Sequence, residues 1–169
     1  MAEKLSLRDY QRDLAERLRA ASTARAASLL ALQVGQEGWL VNLADAGEVI
    51  PLPAITPVPL TKGWFRGMAN IRGNLYSVVD FAAYLGGAPA VQGEQTRLLL
   101  LGDRFRLGAA LLVDRSLGLR NPAQLKAQAR PDDAPQWLKA QHADEDGRLW
   151  KELDVPQLVQ QQEFLTVGA

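Results

Sequence analysis

The amino-acid sequence predicts a mainly β fold made of small closed or half-closed barrels. Roughly nine or ten short segments carry alternating or β-branched apolar residues, and turn residues separate them at regular intervals. Helical periodicity is confined to a few stretches. With 169 residues, the chain can bury roughly 70% of its unfolded surface, as one compact domain or as two small lobes that share a core.

The composition limits the classes of partner and chemistry. Basic and acidic residues are balanced at 19 each, whereas a protein that binds nucleic acid or an anionic membrane usually carries a basic excess. The chain has no cysteine, which excludes disulfides, thiolate catalysis and zinc–thiolate sites. Its start lacks a signal-peptide pattern, and no apolar run approaches the ~20 residues of a membrane span. The sequence therefore predicts a cytoplasmic protein that is not inserted in the membrane.

The first predicted element is a helix over residues 6–21. Ser6 and Asp9 resemble a capping box, and apolar residues follow at three- and four-residue steps. Two interpretations are open: the helix packs on its own domain, which is favoured, or it docks on a partner or a second copy. Residues 22–27 are typical of a linker, so an N-terminal unit is predicted over 1–27. The apolar stripe consists of Leu7, Tyr10, Leu14, Leu18 and Ala21.

A change to strand periodicity after residue 28 predicts the first hairpin. Residues 30–34 and 39–43 alternate on the two sides of a turn, and a further short strand covers residues 48–51. Four prolines between residues 51 and 59 exclude a helix or a central strand, so this crossing is expected on an edge or at the surface. It ends at Trp64-Phe65, a pair that should be buried against the next hairpin.

The second predicted hairpin contains an arginine at its tip. Residues 68–71 and 75–79 are apolar runs, and Arg72-Gly73-Asn74 supplies a Gly and an Asn where a tight connection needs positive φ. Asp80 then fits the N-cap of a short helix. Arg72 has two interpretations. Its guanidinium ties the tip to backbone carbonyls or to a carboxylate such as Asp80, or it presents its charge to a partner.

The second half of the chain predicts further strands and a closing helix. Gly102-Asp103 forms the turn of one hairpin, and the acidic segment 144–147 forms the turn of another. Asp154 precedes a closing helix over residues 156–167. The strands are predicted at residues 97–101, 105–113, 137–142 and 148–153.

The sequence shows no constellation for catalysis or metal binding. The single histidine, His142, lies beside Asp144 and Glu145 and is expected at the surface. The acidic run of Asp144, Glu145 and Asp146 lacks the ligand spacing of a calcium loop, and no Gly-Lys-Ser/Thr phosphate motif occurs. The sequence therefore predicts a protein that is not an enzyme and needs no cofactor.

The alternative class is a small β-barrel module that binds nucleic acid. Its candidate residues are the cations Arg66 and Arg72 and the aromatic residues Trp64 and Tyr76. These aromatic residues lie in apolar segments typical of a core, and no basic stripe accompanies them. The composition therefore favours a protein partner.

The segment between residues 67 and 86 contains a specific order of motifs. Gly-x-x-Asn-aliphatic-Arg-Gly occupies residues 67–73, and an apolar strand, Asp80 and a short helix ending in Leu85-Gly86 follow. This order resembles the signature of the CheW coupling proteins of bacterial chemosensory arrays. Residues 58–65 resemble the PilI branch, which serves type IV pilus twitching systems. The resemblance extends over roughly residues 28–166.

The resemblance implies a fold and a function. The fold would be two five-stranded barrels in a CheW-like domain over residues 28–169, with lobes at 28–90 and 91–155 and the closing helix behind them. The protein would be a non-catalytic adaptor between a methyl-accepting chemoreceptor and a CheA-type histidine kinase. It would lie in the cytoplasm, associated through these partners with receptor arrays at the inner membrane.

The resemblance also implies contact residues. Carried over by position, Asn70, Arg72 and Gly73 match the family signature near the receptor groove, and Leu98 is assigned to the same groove. Glu48 matches an acidic residue on the strand that contacts the kinase, and Val49 is assigned with it. The chain departs from the family pattern at Ala46 and Ala110, where a larger aliphatic residue and a glycine are common.

Overall fold

The computed structural model describes residues 7–26 and 28–169, and it shows two β-sheets with few helices, which confirms the predicted mainly β class. The helices are α1 (Leu7–Ala26), α2 (Phe81–Tyr84), α3 (Val155–Leu158) and α4 (Gln162–Leu165). The strands are β1 (Leu29–Val34), β2 (Glu37–Asn42), β3 (Ala46–Pro51), β4 (Phe65–Ile71), β5 (Asn74–Asp80), β6 (Arg97–Leu101), β7 (Ala109–Val113), β8 (Arg115–Arg120), β9 (Lys126–Gln128), β10 (Leu138–Ala143) and β11 (Leu149–Leu153).

The two sheets combine antiparallel and parallel pairing. The first sheet has six strands in the order β8-β1-β2-β11-β10-β9, and the second has five in the order β3-β6-β7-β5-β4. β2 pairs with β11 in parallel, and β5 pairs with β7 in parallel. Parallel neighbours need long crossover connections, so the chain leaves each sheet and later returns to it.

The two sheets do not follow the predicted division into lobes at 28–90 and 91–155. The first sheet joins β1 and β2 to β8–β11, and the second joins β3–β5 to β6 and β7. Each sheet therefore takes strands from both sides of residue 90. Within the described residues, no ladder closes either sheet onto itself, so two open sheets replace the predicted barrels.

The core lies between the sheets and continues behind the second one. On β6, Leu99 and Leu101 belong to the main core, which also contains Trp39 of the first sheet. Leu98 and Leu100 point to the opposite face and join a second apolar cluster. Because successive side chains of a strand alternate between faces, the leucine run of β6 is buried on both sides.

Trp64 and Phe65, at the end of the proline-rich crossing, are buried as predicted. The ring centroid of Trp64 lies 5.2 Å from that of Tyr84 in α2 and 6.5 Å from that of Phe164 in α4. The aromatic contacts of Trp64 therefore come from two helices rather than from the hairpin that was predicted to cover it.

Two aspartates begin helices as predicted. The side chain of Asp80 accepts a hydrogen bond from the N–H of Ala83 at 3.1 Å, and that of Asp154 accepts one from the N–H of Gln157 at 3.0 Å. The closing helix predicted over residues 156–167 is corrected to the two short helices α3 and α4. Gln161 separates them, since its φ of −68° and ψ of 127° are extended rather than helical.

The hairpin predicted around Gly102-Asp103 also differs. A 3₁₀ turn covers Asp103–Phe105, and positive φ angles of 50° at Arg106 and 54° at Gly108 interrupt the expected strand 105–113. The strand β7 therefore begins only at residue 109. The edge strands β8 and β9 were not predicted, because they are short and largely exposed and lack a clear apolar alternation.

Helix α1 is longer and more exposed than predicted. It continues to Ala26, so the predicted linker is wrong for residues 22–26, while residue 27 and the predicted helix start at Ser6 lie outside the described residues. Every side chain of residues 7–21 is exposed, including Leu7 at 74% and Leu18 at 63%. In this structure the apolar stripe therefore does not pack on its own domain, which was the favoured interpretation.

Candidate functional site

The turn between β4 and β5 holds Arg72 in an unusual backbone conformation. The φ angles of Arg72 and Gly73 are 53° and 87°, which is the pattern of a type I′ turn. The sequence assigned positive φ to Gly73 and Asn74, and the structure corrects the pair by one residue. The side chain of Asn70 accepts a hydrogen bond from the N–H of Gly73 at 2.9 Å. Asn70 and Gly73 therefore set the turn, and Arg72 is the side chain that the turn projects.

Glu48 reaches the same region from a bulge in β3. The pairing of β3 with β6 shifts between Ala46 and Val49, so Gly47 and Glu48 fall outside the regular register. A Cβ on Gly47 would lie 3.1 Å from the carbonyl oxygen of Leu100, which favours glycine there. Bulges redirect side chains, and this one turns Glu48 toward the β4–β5 turn.

Arg72 and Glu48 form a bidentate ion pair. Nη1 of Arg72 donates to Oε2 of Glu48 at 2.7 Å, and Nη2 donates to Oε1 at 2.7 Å. Hydrogen bonding to Arg72 lowers the pKa of Glu48, and the same bonds raise the pKa of Arg72. The carboxylate partner is thus Glu48 rather than Asp80, which was the predicted example.

Asp80 is fully buried and serves a different purpose. Its carboxylate accepts from the N–H groups of Ala83 and Ala90, and it lies 3.5 Å from Nη1 of Arg66. These contacts link the end of β5, the helix α2 and the connector that follows. Asp80 therefore stabilises the segment that follows β5, whereas Arg72 lies on the exposed side of the turn.

The ion pair spans the two open edges of the second sheet. β3 is one outer strand, and the β4–β5 hairpin forms the other edge. The pair borders a half-open cleft of about 320 Å³, and its side chains remain 69% exposed at Arg72 and 45% at Glu48. Exposed ion pairs contribute little to stability, so stability alone does not account for a bidentate pair at this position. The cleft is lined by Gly47, Glu48, Ile71, Arg72, Asn74, Tyr76, Leu100, Leu101 and Asp103.

The structure brings together most, but not all, of the predicted contact residues. Leu98 has 0% exposure and packs in the second apolar cluster, so its side chain lies in the core and does not line the cleft. The leucine run of β6 gave no sign of which residues face outward, because both faces of the strand are buried. Val49 is half-buried against the main core and contributes only part of its side chain to the surface beside Glu48.

Of the nine residues that line the cleft, the family resemblance assigned only Glu48 and Arg72 to a partner contact. Tyr76 and Asp103 line it from β5 and from the 3₁₀ turn, although both are distant from Glu48 along the chain. Gly47 was the available signal, since a glycine inside a strand pattern often marks a bulge.

A second group of polar side chains lies on the first sheet. Nε2 of His142 lies 2.7 Å from Oε2 of Glu152, and Nζ of Lys139 donates to Oε1 at 2.7 Å. Burial alone would raise the pKa of Glu152, but these hydrogen bonds outweigh it and lower the pKa. His142 is 18% exposed and lies in strand β10, so it is half-buried and not at the surface, where it was expected.

The acidic turn after β10 is held by its own hydrogen bonds. Asp144 accepts from Nε1 of Trp150 and from the N–H groups of Asp146 and Arg148, and the bond from Trp150 is the main cause of its lowered pKa. Among the described residues, no three histidine, aspartate or glutamate side chains are grouped as a metal site. Asp144 is therefore a brace for the turn.

The residues named for nucleic-acid binding are separated by burial. Trp64 is 9% exposed and Tyr76 is half-buried, and Arg66 points to Asp80.

In the part of the chain that the structure describes, no helix has both the length and the apolar composition required to span a membrane.

The fold and the cleft define a class of protein: a two-sheet β protein with a fixed, exposed ion pair at the turn between β4 and β5. The model of the CheW-like domain matches residues 28–163, which include both sheets and every residue of the cleft. The chain therefore belongs to the CheW-like domain family, whose members are scaffold or adaptor proteins and not enzymes.

Individual relatives agree with this assignment. Protein PilI of Pseudomonas aeruginosa is 30% identical over 92 residues, which are 54% of this chain and 51% of PilI, so the match spans about half of that relative. The chemotaxis protein CheW of Rhizobium meliloti is 28% identical over 106 residues, or 63% of this chain and 68% of that protein. The crystal structure of the scaffolding protein TtCheW from Thermoanaerobacter tengcongensis superposes with a TM-score of 0.63 at 16% identity, over 77% of this chain and 90% of that one.

Proposed function

We propose that this protein is a non-catalytic adaptor that couples a methyl-accepting chemoreceptor to a CheA-type histidine kinase in a bacterial chemosensory pathway. The observation that carries the proposal is the CheW-like match over residues 28–163. The proposed output is control of type IV pilus twitching motility, which the similarity to PilI supports. In this proposal the protein works in the cytoplasm and is held at receptor arrays on the inner membrane through its partners.

The proposed receptor contact is the β4–β5 turn. Arg72 carries five N–H donors, and the bonds to Glu48 use two of them. The remaining donors allow Arg72 to bind a receptor carboxylate while the pair with Glu48 stays intact. Asn70 and Gly73 fix the turn that presents the guanidinium, so their contribution is to position it.

The proposed kinase contact is the bulge of β3. Glu48 supplies the charge and Val49 the adjoining apolar surface. Since Glu48 also binds Arg72, the two proposed contacts are adjacent and share one ion pair. In this proposal both partners bind the adaptor where the bulge of β3 meets the β4–β5 turn.

The proposal is tested with the purified chain, the cytoplasmic fragment of a chemoreceptor and a CheA-type kinase from the same cell. We expect the chain to sediment both partners in one complex, and neither partner to sediment the other without it. Failure to bind either partner would refute the adaptor function.

A charge reversal tests the kinase contact. Glu48→Lys should weaken kinase binding, and the loss should shrink at high salt, since screening weakens contacts between exposed charges. Glu145→Lys, the same change at an exposed glutamate in the turn between β10 and β11, is the matched control and should bind as the wild type does. Equal affinity of the Glu48→Lys variant and the wild type at low salt would remove Glu48 from the interface.

A further inference from the structure

Helix α1 exposes an apolar stripe along its length. The side chains of Leu7, Tyr10, Leu14 and Leu18 are 74%, 59%, 44% and 63% exposed, and that of Ala21 is exposed as well. In proteins, most of the stability of an amphipathic helix such as this one of 20 residues comes from packing of its apolar face. The stripe therefore needs a surface that covers it.

The spacing of the stripe is symmetric about its middle residue. From Leu14, the next stripe positions lie four and then seven residues away in both directions, at Tyr10 and Leu7 on one side and at Leu18 and Ala21 on the other. Two antiparallel copies related by a two-fold axis at Leu14 would place Leu14 against Leu14, Tyr10 against Leu18 and Leu7 against Ala21. A two-fold contact requires this self-complementarity, whereas a contact with an unrelated surface does not.

The two flanks of the stripe differ in charge. At about 100° per residue, Asp13 and Arg17 lie along one flank of the stripe, and Gln11 and Ala15 lie along the other. Within one helix, Nε of Arg17 lies 2.9 Å from Oδ2 of Asp13. In an antiparallel pair like flanks meet, so Asp13 of each copy lies about 3 Å along the helix axis from Arg17 of the other. In a parallel pair this charged flank would meet the uncharged one.

We infer that α1 is a self-association element, in which a second copy of this chain packs its α1 antiparallel against the first with Leu14 at the two-fold axis. The apolar stripe supplies the buried surface, and the Asp13 and Arg17 flank selects the antiparallel direction. Because a single helix pair is smaller than a standard protein interface of about 1,600 Å², we expect a weak dimer that forms at high concentration.

The first test is sedimentation equilibrium of the full chain over a range of concentrations. The wild type should show a monomer–dimer equilibrium. Leu14→Glu places two like charges at the axis and should raise the dimer dissociation constant at least tenfold. Ala20→Glu, which places the same carboxylate off the stripe, is the control and should dimerise as the wild type does. A wild type that stays monomeric at every concentration would overturn the inference. The stripe would then pack in the groove beside Val34 and Leu85 of its own chain, or bind a different protein.

The second test determines the direction of pairing. The chain has no cysteine, so a Leu7→Cys chain and an Ala21→Cys chain each carry a single thiol. When the two are mixed and oxidised, the antiparallel arrangement should yield mainly the mixed disulfide between residues 7 and 21. A predominance of the two symmetric disulfides would indicate a parallel pair and refute the arrangement.

A charge-exchange experiment provides an independent check on the flank. Asp13→Arg and Arg17→Asp should each weaken self-association, because every copy then presents one sign of charge along the flank. A mixture of the two variants should form a heterodimer, which native mass spectrometry would detect. Self-association by each variant alone at the wild-type level would refute the role of this flank. These tests use neither kinase nor receptor, so they stand apart from the proposed adaptor function.

Discussion

Both carboxylate oxygens of Glu48 accept hydrogen bonds from the guanidinium of Arg72, and this pair links the bulge of β3 to the turn between β4 and β5. The two residues are 24 positions apart in the chain and lie on opposite edges of one sheet. The resemblance assigned them to two different partners. Their contact makes the two assigned surfaces one continuous site.

The Arg72→Ala variant should separate a partner contact from a structural brace. Its side chain is largely exposed, so we expect a melting temperature within a few degrees of the wild type. Receptor binding should fall at least about tenfold, as expected when a charge-assisted contact is removed. Arg72→Lys should recover only part of it, because an ammonium group cannot reproduce the planar fork. Melting is followed by circular dichroism and binding by titration of the receptor fragment.

Arg115→Ala is the control for that variant, since Arg115 is an exposed arginine on the first sheet. It should leave receptor binding unchanged. If Arg72→Ala melts much earlier while its folded fraction binds receptor normally, Arg72 is a brace for the hairpin and not a receptor contact.

The Gly67→Ala variant should be severely destabilised. Gly67 has a φ of 127°, and an added Cβ would lie 2.1 Å from the carbonyl oxygen of Thr56. Because the Cβ would clash with a backbone atom of Thr56, no side-chain rotation can relieve the clash. We expect a loss above ~3 kcal/mol in the free energy of unfolding, measured by urea denaturation. Gly63→Ala should change it by less than ~0.5 kcal/mol, since nothing lies within 4 Å of the added Cβ. Similar stability of the two variants would contradict the close approach at residue 67.

Replacing Leu98 tests its reassignment from a partner contact to the core. Leu98→Ala removes a side chain with 0% exposure and should lower the free energy of unfolding by about 2–5 kcal/mol. Leu75→Ala removes a leucine that is 64% exposed and should cost less than ~0.5 kcal/mol. The comparison uses denaturation of both variants under the same conditions. A Leu98→Ala variant as stable as Leu75→Ala would restore Leu98 as a candidate contact residue.

Tyr84 should make the protein less stable in alkali. Burial, together with the nearby charge of Glu163, raises the pKa of Tyr84 to about 12, from an ordinary value of about 10. The folded chain thus retains the phenol proton more strongly than the unfolded chain, so the free energy of unfolding falls as pH rises from about 10 to about 12. Tyr84→Phe should remove this part of the fall. Urea denaturation of both proteins at pH 8 and at about pH 11 measures the difference, and an identical pH dependence would show that Tyr84 does not contribute.

Local features of the fold were predicted well because they depend on neighbouring residues. Asp80 and Asp154 cap helices that begin at the next residue, and the β4–β5 hairpin follows from two apolar runs around a glycine. The mainly β class follows from the alternation of short segments. The signature around residues 67–73 was also sufficient to indicate the family. For such features the residues that decide the structure are adjacent in the sequence.

The tertiary structure alone decided how distant segments combine. The parallel pairing of β2 with β11 and of β5 with β7 distributes the two halves of the chain over both sheets, and no local pattern specifies it. The antiparallel neighbours of β6 in the second sheet place Leu98 in the apolar cluster on the face away from the main core.

The sequence by itself determined that Arg72 stands at a hairpin tip and that Glu48 lies on a short strand. Only the folded chain determined that they bind each other. Capping, turn formation and alternation arise from contacts within a few residues, whereas the Glu48–Arg72 pair requires the bulge in β3 and the two edges of a five-stranded sheet to meet. That meeting depends on the packing of the whole domain.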